Sequence, residues 1–420
     1  MRTSKKQDLK RQERIFSKID WNLEDEAKDN MLSLVINRGI EAYLEDIEKE
    51  IRQICGERYK HQTGREFTRW SLTETPLIMG GRKVSITYPR VRNLDSKKEQ
   101  LLETVIKFKD REILSKRQME QMIIGVSTRK YKRSLETETD AYRIHGDSKS
   151  AVSRNFITMT AAKLEEWLKK PITEEYPILM MDGIVFQGTT VIIVLGIDKK
   201  GEKKTLGAWE GATENKKVCV DLLQNLVERG LKPEMVKLAI IDGGKALRSA
   251  LNDIFGKGLY VQRCQVHKKK NVADYLPENM KDSIRGAMSE AYNVEKYETA
   301  KRMLENIARR IEKEYPAASR SLREGLEETL TLHKLRANRK LRKSLCTTNP
   351  IESLNSGIRR ITGRVRRWRN SSMVMRWACG GIIESERNFR RLKGYQHLDA
   401  FFKNIDRCDK KVMEIKQVSA

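Results

Sequence analysis

Two periods of apolar residues divide the chain. Residues 177–181, PILMM, form an apolar run that stops at Asp182 and Gly183. Residues 189–198 and 203–209 are two further strand candidates, and the turn at 199–201 makes them a hairpin. Over 215–229, Val218, Leu222 and Leu226 recur at spacings of four, which predicts a helix. A buried strand at 235–241 ends at Asp242, Gly243 and Gly244; a short helix to Phe255, a strand at 259–264 and a helix opening near His267 follow. Antiparallel strands first, then helix and strand in alternation, predict a five-stranded mixed sheet with helices. From 277 to 345 only helices are expected: Tyr297, Ala300, Leu304, Ile307 and Ile311 step by three and four along one amphipathic stripe. Two more helices are expected over 350–361 and roughly 373–391.

The first 170 residues have a different texture. Residues 1–62 are mostly helical in pattern and highly charged, and their role is not readable. Within 63–110, β-branched residues flank Gly80 and Gly81, the pattern of a β-hairpin. Residues 111–172 predict a helix-turn-helix-like DNA-binding region: one helix closed by Gly125, a second over VSTRKYKRSLE with Ser127 as N-cap, and a third after a loop ending at Gly146 and Asp147. In the third, Val152, Phe156, Met159, Lys163 and Leu164 follow helical spacing. Lys149, Ser153, Arg154 and Asn155 point elsewhere, as the start of a recognition helix would. An ordinary three-helix packing unit with a basic face explains the same spacing.

Charge narrows the partner. Lys and Arg number 84 against 58 Asp and Glu, a net charge of +26 over 420 residues. An excess of this size favours a polyanion, because each neutralised phosphate releases condensed counterions. No apolar run approaches the roughly 18 residues of a membrane span, and the charged N-terminus lacks the apolar stretch of a secretory signal. Six cysteines without a CxxC pair suit reduced thiols in a cytoplasmic compartment.

Three carboxylates carry the candidate chemistry. Asp182 and Asp242 each end an apolar strand-like run, where sites form in open α/β sheets, although Asp-Gly is also a common turn. In LCTTNPIESLNSGIRR, Asn349 can cap the helix, Pro350 suits its first turn, and Glu352 stands where a capping box places an acid. Ile351, Leu354, Ile358 and Ile361 form that helix's buried stripe, while Glu352, Asn355 and Arg359 repeat the spacing on its flank. If the three acids converge, their hard oxygens suit Mg2+, and two such ions serve in-line displacement at phosphorus.

LMMDG at 179–183, LAIIDGG at 238–244, RCQVHKKKN at 263–271 and TTNPIESLN at 347–355 resemble segments of the Mutator-like transposases of bacterial insertion sequences. GRKVSITYPRVRN and GDSKSAVSR upstream resemble that family too, so the likeness covers about residues 65–400. It implies a ribonuclease-H-like core in two parts, 173–276 and 346–400, interrupted by an all-helical insertion at 277–345 and followed by a tail at 401–420. It further implies that Asp182, Asp242 and Glu352 are a catalytic, metal-binding triad for two Mg2+ ions, with Mn2+ as a substitute. The expected reaction is phosphodiester hydrolysis at the element's ends, then transfer of the 3′-OH into target DNA. Expected partners are double-stranded DNA, both terminal inverted repeats and target, and further copies of the chain when ends are paired, in the cytoplasm at the nucleoid. Two rival readings are a non-catalytic DNA-binding protein and a ribonuclease-H-type nuclease that only hydrolyses.

The remaining candidates lie near the triad. Cys264 and His267 are too few for a structural zinc site, which wants four ligands; the family resemblance implies that they support the site. Lys268, Lys269 and Lys270 are either a solvated run or a DNA-backbone contact. Arg359, Arg360, Arg364, Arg366, Arg367 and Arg369 fall within 11 residues that contain no acid, which favours a phosphate track into the site. Glu210 and Glu214 are left outside the triad.

Overall fold

The computed structural model describes residues 21–60, 64–79, 81–108, 111–135, 144–145, 147–211 and 215–418. The readings for residues 1–20, Gly80, Gly146 and Glu214 lie outside them. Contacts divide the chain into two units, 1–159 and 160–420.

In the first unit, helix α1 (Trp21–Cys55) is followed by the hairpin β1 (Phe67–Met79) and β2 (Arg82–Asn93). Met79 pairs with Arg82, and Gly81 between them takes the positive φ of 79° that a tight hairpin turn requires. Short strands β3 (Glu99–Gln100) and β4 (Ile144–His145) both pair with β2. Between them come helices α2 (Glu103–Phe108) and α3 (Arg111–Ile124). Ile40, Tyr43, Ile47 and Ile51 place one face of α1 against Leu77, Val84, Ile86 and Val91 of the hairpin. The second helix expected over VSTRKYKRSLE does not form. Residues 128–131 are turns, and a single 3-10 turn spans Lys132–Ser134. Tyr131 explains this: its ring is fully buried, and its hydroxyl donates to Gly81 O at 2.8 Å. Arg129, Lys130, Lys132 and Arg133 would also repel one another at helical spacing. Helix α4 (Lys149–Lys169) follows, opened by Ser148 Oγ, which accepts from Ala151 N.

The second unit is built on a five-stranded sheet of order β7-β6-β5-β8-β9. β5 (Ile178–Phe186), β6 (Thr189–Ile197) and β7 (Lys203–Gly211) are antiparallel; β8 (Leu238–Ile241) and β9 (Tyr260–Arg263) add parallel to β5. Helix α5 (Lys216–Glu228) precedes β8, and α6 (Lys245–Phe255) lies between β8 and β9. Successive strand residues alternate between two cores. Leu179, Met181, Ala239 and Ile241 pack with α5 and α6, whereas Ile178, Met180, Leu238 and Ile240 pack with helices from the last third of the chain.

After β9 the chain is helical: α7 (Gln265–Ala273), α8 (Glu278–Asn293), α9 (Tyr297–Ile311), α10 (Pro316–Arg323), α11 (Leu326–Thr329), α12 (Thr331–Lys334), α13 (Arg339–Leu345), α14 (Asn349–Thr362), α15 (Ser371–Glu386) and α16 (Leu398–Val418). The predicted stripe of α9 is buried at Ala300, Leu304 and Ile311, in a separate core with α8 and α10. Buried Gln262 of β9 donates to Thr329 O and accepts from Leu332 N, and Thr331 Oγ1 donates to Val261 O, so α11 and α12 are tied to the sheet edge. Ile351, Leu354 and Ile358 of α14 seal the second face of the sheet, each contributing about 1.5–3 kcal/mol by burial. α15 packs tightly on α14: a Cβ on Gly381 would come within 3.1 Å of Ile358 Cα.

His333 on α12 is buried, with Nε2 3.0 Å from Tyr292 O. Burial, with the Arg342 guanidinium nearby, holds its imidazole down at about 4 against an ordinary 6.5. Between those values the unfolded chain takes up a proton that the fold refuses, so stability falls as pH drops through this window, by at most about 3 kcal/mol. Urea melts at pH 7 and pH 4.5 check this: wild type loses stability on acidification, and His333→Gln flattens the loss. An equal loss in both proteins contradicts it.

Candidate active site

Register places the two aspartates. Met181 pairs with Ile241 across β5 and β8, and Ile241 pairs with Arg263 across β8 and β9. Asp182 is the next residue of β5, and Asp242 and Cys264 immediately follow the last paired residues of β8 and β9. Parity turns all three toward the face carrying Met180 and Ile240, the face that α14 covers. Asp182 does not stand at a strand exit as expected. Ile184 and Phe186 continue the alternation on the same core, and β5 runs on to the hairpin turn at Gln187 and Gly188. Asp182 lies instead where pairing with β8 ends while pairing with β6 continues, so the sheet opens beside it. Asp242 does make a turn: its Oδ1 accepts from Gly244 N at 2.9 Å.

Helix α14 supplies the third acid by a route different from the expected cap. Asn349 is its first residue and Thr348 stands at the N-cap. Thr348 is fully buried, and its Oγ1 donates to Glu352 Oε1 at 2.6 Å. The Glu352 side chain thus folds back onto the hydroxyl of the N-cap residue, which is Thr348 and not Asn349. Thr348 Oγ1 is also 3.4 Å from Cys264 Sγ and 3.4 Å from His267 Nδ1. Gln265 N donates to Cys346 O, which fixes the start of α7 beside this segment. His267 Nε2 lies 3.8 Å from Glu352 Oε1.

One turn further along α14, Asn355 Nδ2 donates to Asp182 Oδ2 at 2.8 Å. Sequence reasoning placed Asn355 on the flank of the helix without assigning it a task; the signal was its spacing of three from Glu352. Asn355 is buried, and its Oδ1 has no hydrogen-bond partner.

The charges of Asp242 and, more weakly, Glu352 reach Asp182. Burial, then the charge of Asp242, pushes Asp182 up to about 6, with Glu352 adding to the effect. A hydrogen bond with Cys264 holds His267 up at about 9 against the cost of burial, helped by Glu352 and Asp242. Burial works to raise the Cys264 thiol, but hydrogen bonds involving His267 and Thr348 bring it below its ordinary value. Among the described residues, the set of three whose ligand atoms all lie within 4.8 Å of one another is Cys264, His267 and Glu352.

The basic candidates separate. Lys268 is 4% exposed, and its Nζ donates to Ser321 O and Glu324 O, both at 2.6 Å. This corrects the expected DNA contact, because its ammonium closes a helix end inside the protein. Lys269 is half-buried and donates to Ser289 Oγ; Lys270 is exposed. Arg359, Arg360, Arg364, Arg366, Arg367 and Arg369 are all exposed, while Trp368 among them packs edge-on against Phe186 at 5.3 Å. In the first unit Lys149 and Arg154 are exposed and Ser153 is half-buried. Asn155, expected beside them on the free face, donates instead to Gln118. Glu210 on β7 has a buried Oε2 without a hydrogen-bond partner and lies two strands from β5.

The fold and site define a basic α/β protein with half-buried acids where a mixed sheet opens and on the helix packed beside it. The chain belongs to the Mutator family of transposases: the family described as "Transposase, Mutator family" matches residues 3–391. It is similar to the transposase for insertion sequence element ISRM5 of Rhizobium meliloti (strain 1021), 29% identical over 285 residues, 67% of this chain and 70% of that protein. The transposase for IS256 in transposon Tn4001 of Staphylococcus aureus is 26% identical over 381 residues, 87% of this chain and 91% of that protein. The transposase for IS905 of Lactococcus lactis subsp. lactis (strain IL1403) is 27% identical over 272 residues, 62% of this chain and 66% of that protein. No described helix is long and apolar enough to cross a membrane.

Lys268→Met removes a buried ammonium from two carbonyls and leaves them unpaired. It is expected to cost about 1–3 kcal/mol in a urea melt without changing affinity for a non-specific DNA duplex. An unchanged urea midpoint with weakened DNA binding contradicts that placement.

Proposed function

We propose that this chain is a DNA transposase whose Asp182, Asp242 and Glu352 act together on phosphodiester bonds. The observation that carries the reading is the Asn355–Asp182 hydrogen bond, which links the α14 helix of Glu352 to the strand row of Asp182 and Asp242. The order of the sheet, with three antiparallel strands and two parallel ones added beyond β5, supports reading it as a ribonuclease-H-like core. The helices between β9 and α14 then stand where an all-helical insertion interrupts it.

The residues suit a hard divalent cation. They offer carboxylate oxygens in a half-buried setting where their charges oppose one another, and the orphaned Asn355 Oδ1 beside them can accept from a metal-bound water. Two Mg2+ ions, or Mn2+ in their place, would there activate the attacking oxygen and stabilise the leaving one in an in-line displacement. The chain's own residues do the positioning. Asn355 fixes the Asp182 carboxylate, Gly244 N fixes one oxygen of Asp242, and Thr348 fixes Glu352. Trp368 anchors the arginine-rich stretch against Phe186, leaving Arg366, Arg367 and Arg369 free to follow a DNA backbone toward the acids. Hydrolysis at the element's terminal inverted repeats would free a 3′-OH, and the same site would direct it onto target DNA. Copies of the chain would pair two ends, with Lys149, Ser153, Arg154, Lys269 and Lys270 as further candidate DNA contacts.

Asp182→Asn and Glu352→Gln are each expected to abolish Mg2+-dependent nicking of a plasmid carrying the element's ends while retaining duplex binding. Persisting cleavage in either variant defeats the assignment, and cleavage without joined products reduces it to a nuclease. Asn355→Ala is expected to raise the Mg2+ needed for half-maximal cleavage about 10–100-fold. Changing Arg366, Arg367 and Arg369 to Ala together is expected to reduce the salt slope of DNA binding by about 2–3. An unchanged slope removes the proposed track.

A further inference from the structure

We propose that Cys264, His267 and Glu352 form a second metal site, suited to a borderline-soft ion such as Zn2+, which competes with the aspartates for Glu352. The three ligand atoms already lie within 4.8 Å of one another. Cys264 immediately precedes α7, and His267 is three residues on, so both project from the same side of the helix start. Glu352 arrives from α14 across the Thr348 hydroxyl. A tetrahedral shell with Zn–N and Zn–O lengths of about 2.0–2.1 Å has an N to O edge of roughly 3.4 Å. His267 Nε2 and Glu352 Oε1 are 3.8 Å apart, so small side-chain rotations close the difference. The site is open to an entering ion, since the His267 and Glu352 side chains are 32% and 38% exposed while Cys264 forms its buried floor.

The donor set decides the metal. One thiolate, one imidazole and one carboxylate suit Zn2+ and Co2+, whereas Mg2+ takes oxygen ligands. Three protein ligands leave a fourth position for water or a phosphate oxygen. Binding a divalent ion there displaces a proton from Cys264, and from His267 where it is charged. With Glu352 committed to this ion, Asp182 and Asp242 lose their third partner. That consequence for cleavage rests on the reading of Glu352 as a member of the triad; the metal site itself does not.

Titrating the metal-free full-length protein with Co2+ tests the site without using activity. One ion per chain with a thiolate-to-cobalt charge-transfer absorption is expected, bleached by added Zn2+. The band should vanish in Cys264→Ser and in His267→Gln, the latter a half-exposed position where the fold has room, and it should remain in Asp182→Asn. No band in the folded wild type, or a band surviving both Cys264→Ser and His267→Gln, overturns the site. Zn2+ added to a Mg2+-supported cleavage reaction should then stop it, with recovery on chelation of the zinc. If the band forms and cleavage is indifferent to Zn2+, the metal site stands and the competition for Glu352 is overturned.

Discussion

The parallel pairing of β8 with both β5 and β9 sets where the two aspartates and Cys264 can be. With Met181 opposite Ile241 and Ile241 opposite Arg263, the row beyond them holds Asp182, Asp242 and Cys264 on one face. A slip of one residue between β5 and β8 would send an aspartate to the other face, into the core of Leu179, Met181 and α5. A carboxylate there would have no partner, and the cost of burying it keeps the register single-valued. The alternation of Ile, Leu, Val and Met on both faces therefore decides the position of the two aspartates before any acid takes part.

That arrangement is unfavourable by itself. Keeping Asp182 ionised at neutral pH, when burial and Asp242 raise it from 3.8 to about 6, costs roughly 3 kcal/mol. Asn355, which donates to Asp182, and a turn amide on Asp242 hold the two carboxylates in place. Glu352 is held differently, between Thr348 and His267, on the side of Cys264. The third acid thus stands between two sets of neighbours, the strand row on one side and the Cys264–His267 pair on the other. On the proposed reading, a cation bound with the aspartates would draw it one way, and a softer ion bound by Cys264 and His267 would draw it the other.

Much of this was legible in the sequence because the sheet strands are bounded by turn residues and the helices carry clean stripes. The five strands, the hairpin turn at 199–201 and the buried stripe of α14 follow from apolar period and turn residues, while the turn at 187–188 was not read. Asp182 was legible as a candidate but not as a mid-strand residue, since Gly183 after it reads as a turn and only pairing with β6 shows the strand continuing. Asn355 was missed as a site residue because its partner lies 173 residues away along the chain, and Thr348 because the cap was read one residue on, at Asn349, and its contact with Cys264 spans 84 residues. Lys268 read as part of an exposed run, and only the carbonyls at the end of α10 reveal that its charge is satisfied inside. The unformed second helix in 111–172 failed on tertiary grounds, because Tyr131 is drawn to the hairpin turn.

Crystals of the full chain bound to an element-end duplex, soaked with Mn2+, offer the most direct check through anomalous diffraction. The account predicts two manganese peaks that share Asp182, with Asp242 and Glu352 each ligating at least one. Peaks coordinated by the aspartates alone, with Glu352 still turned to Thr348 and His267 while the DNA phosphate sits in place, would contradict it.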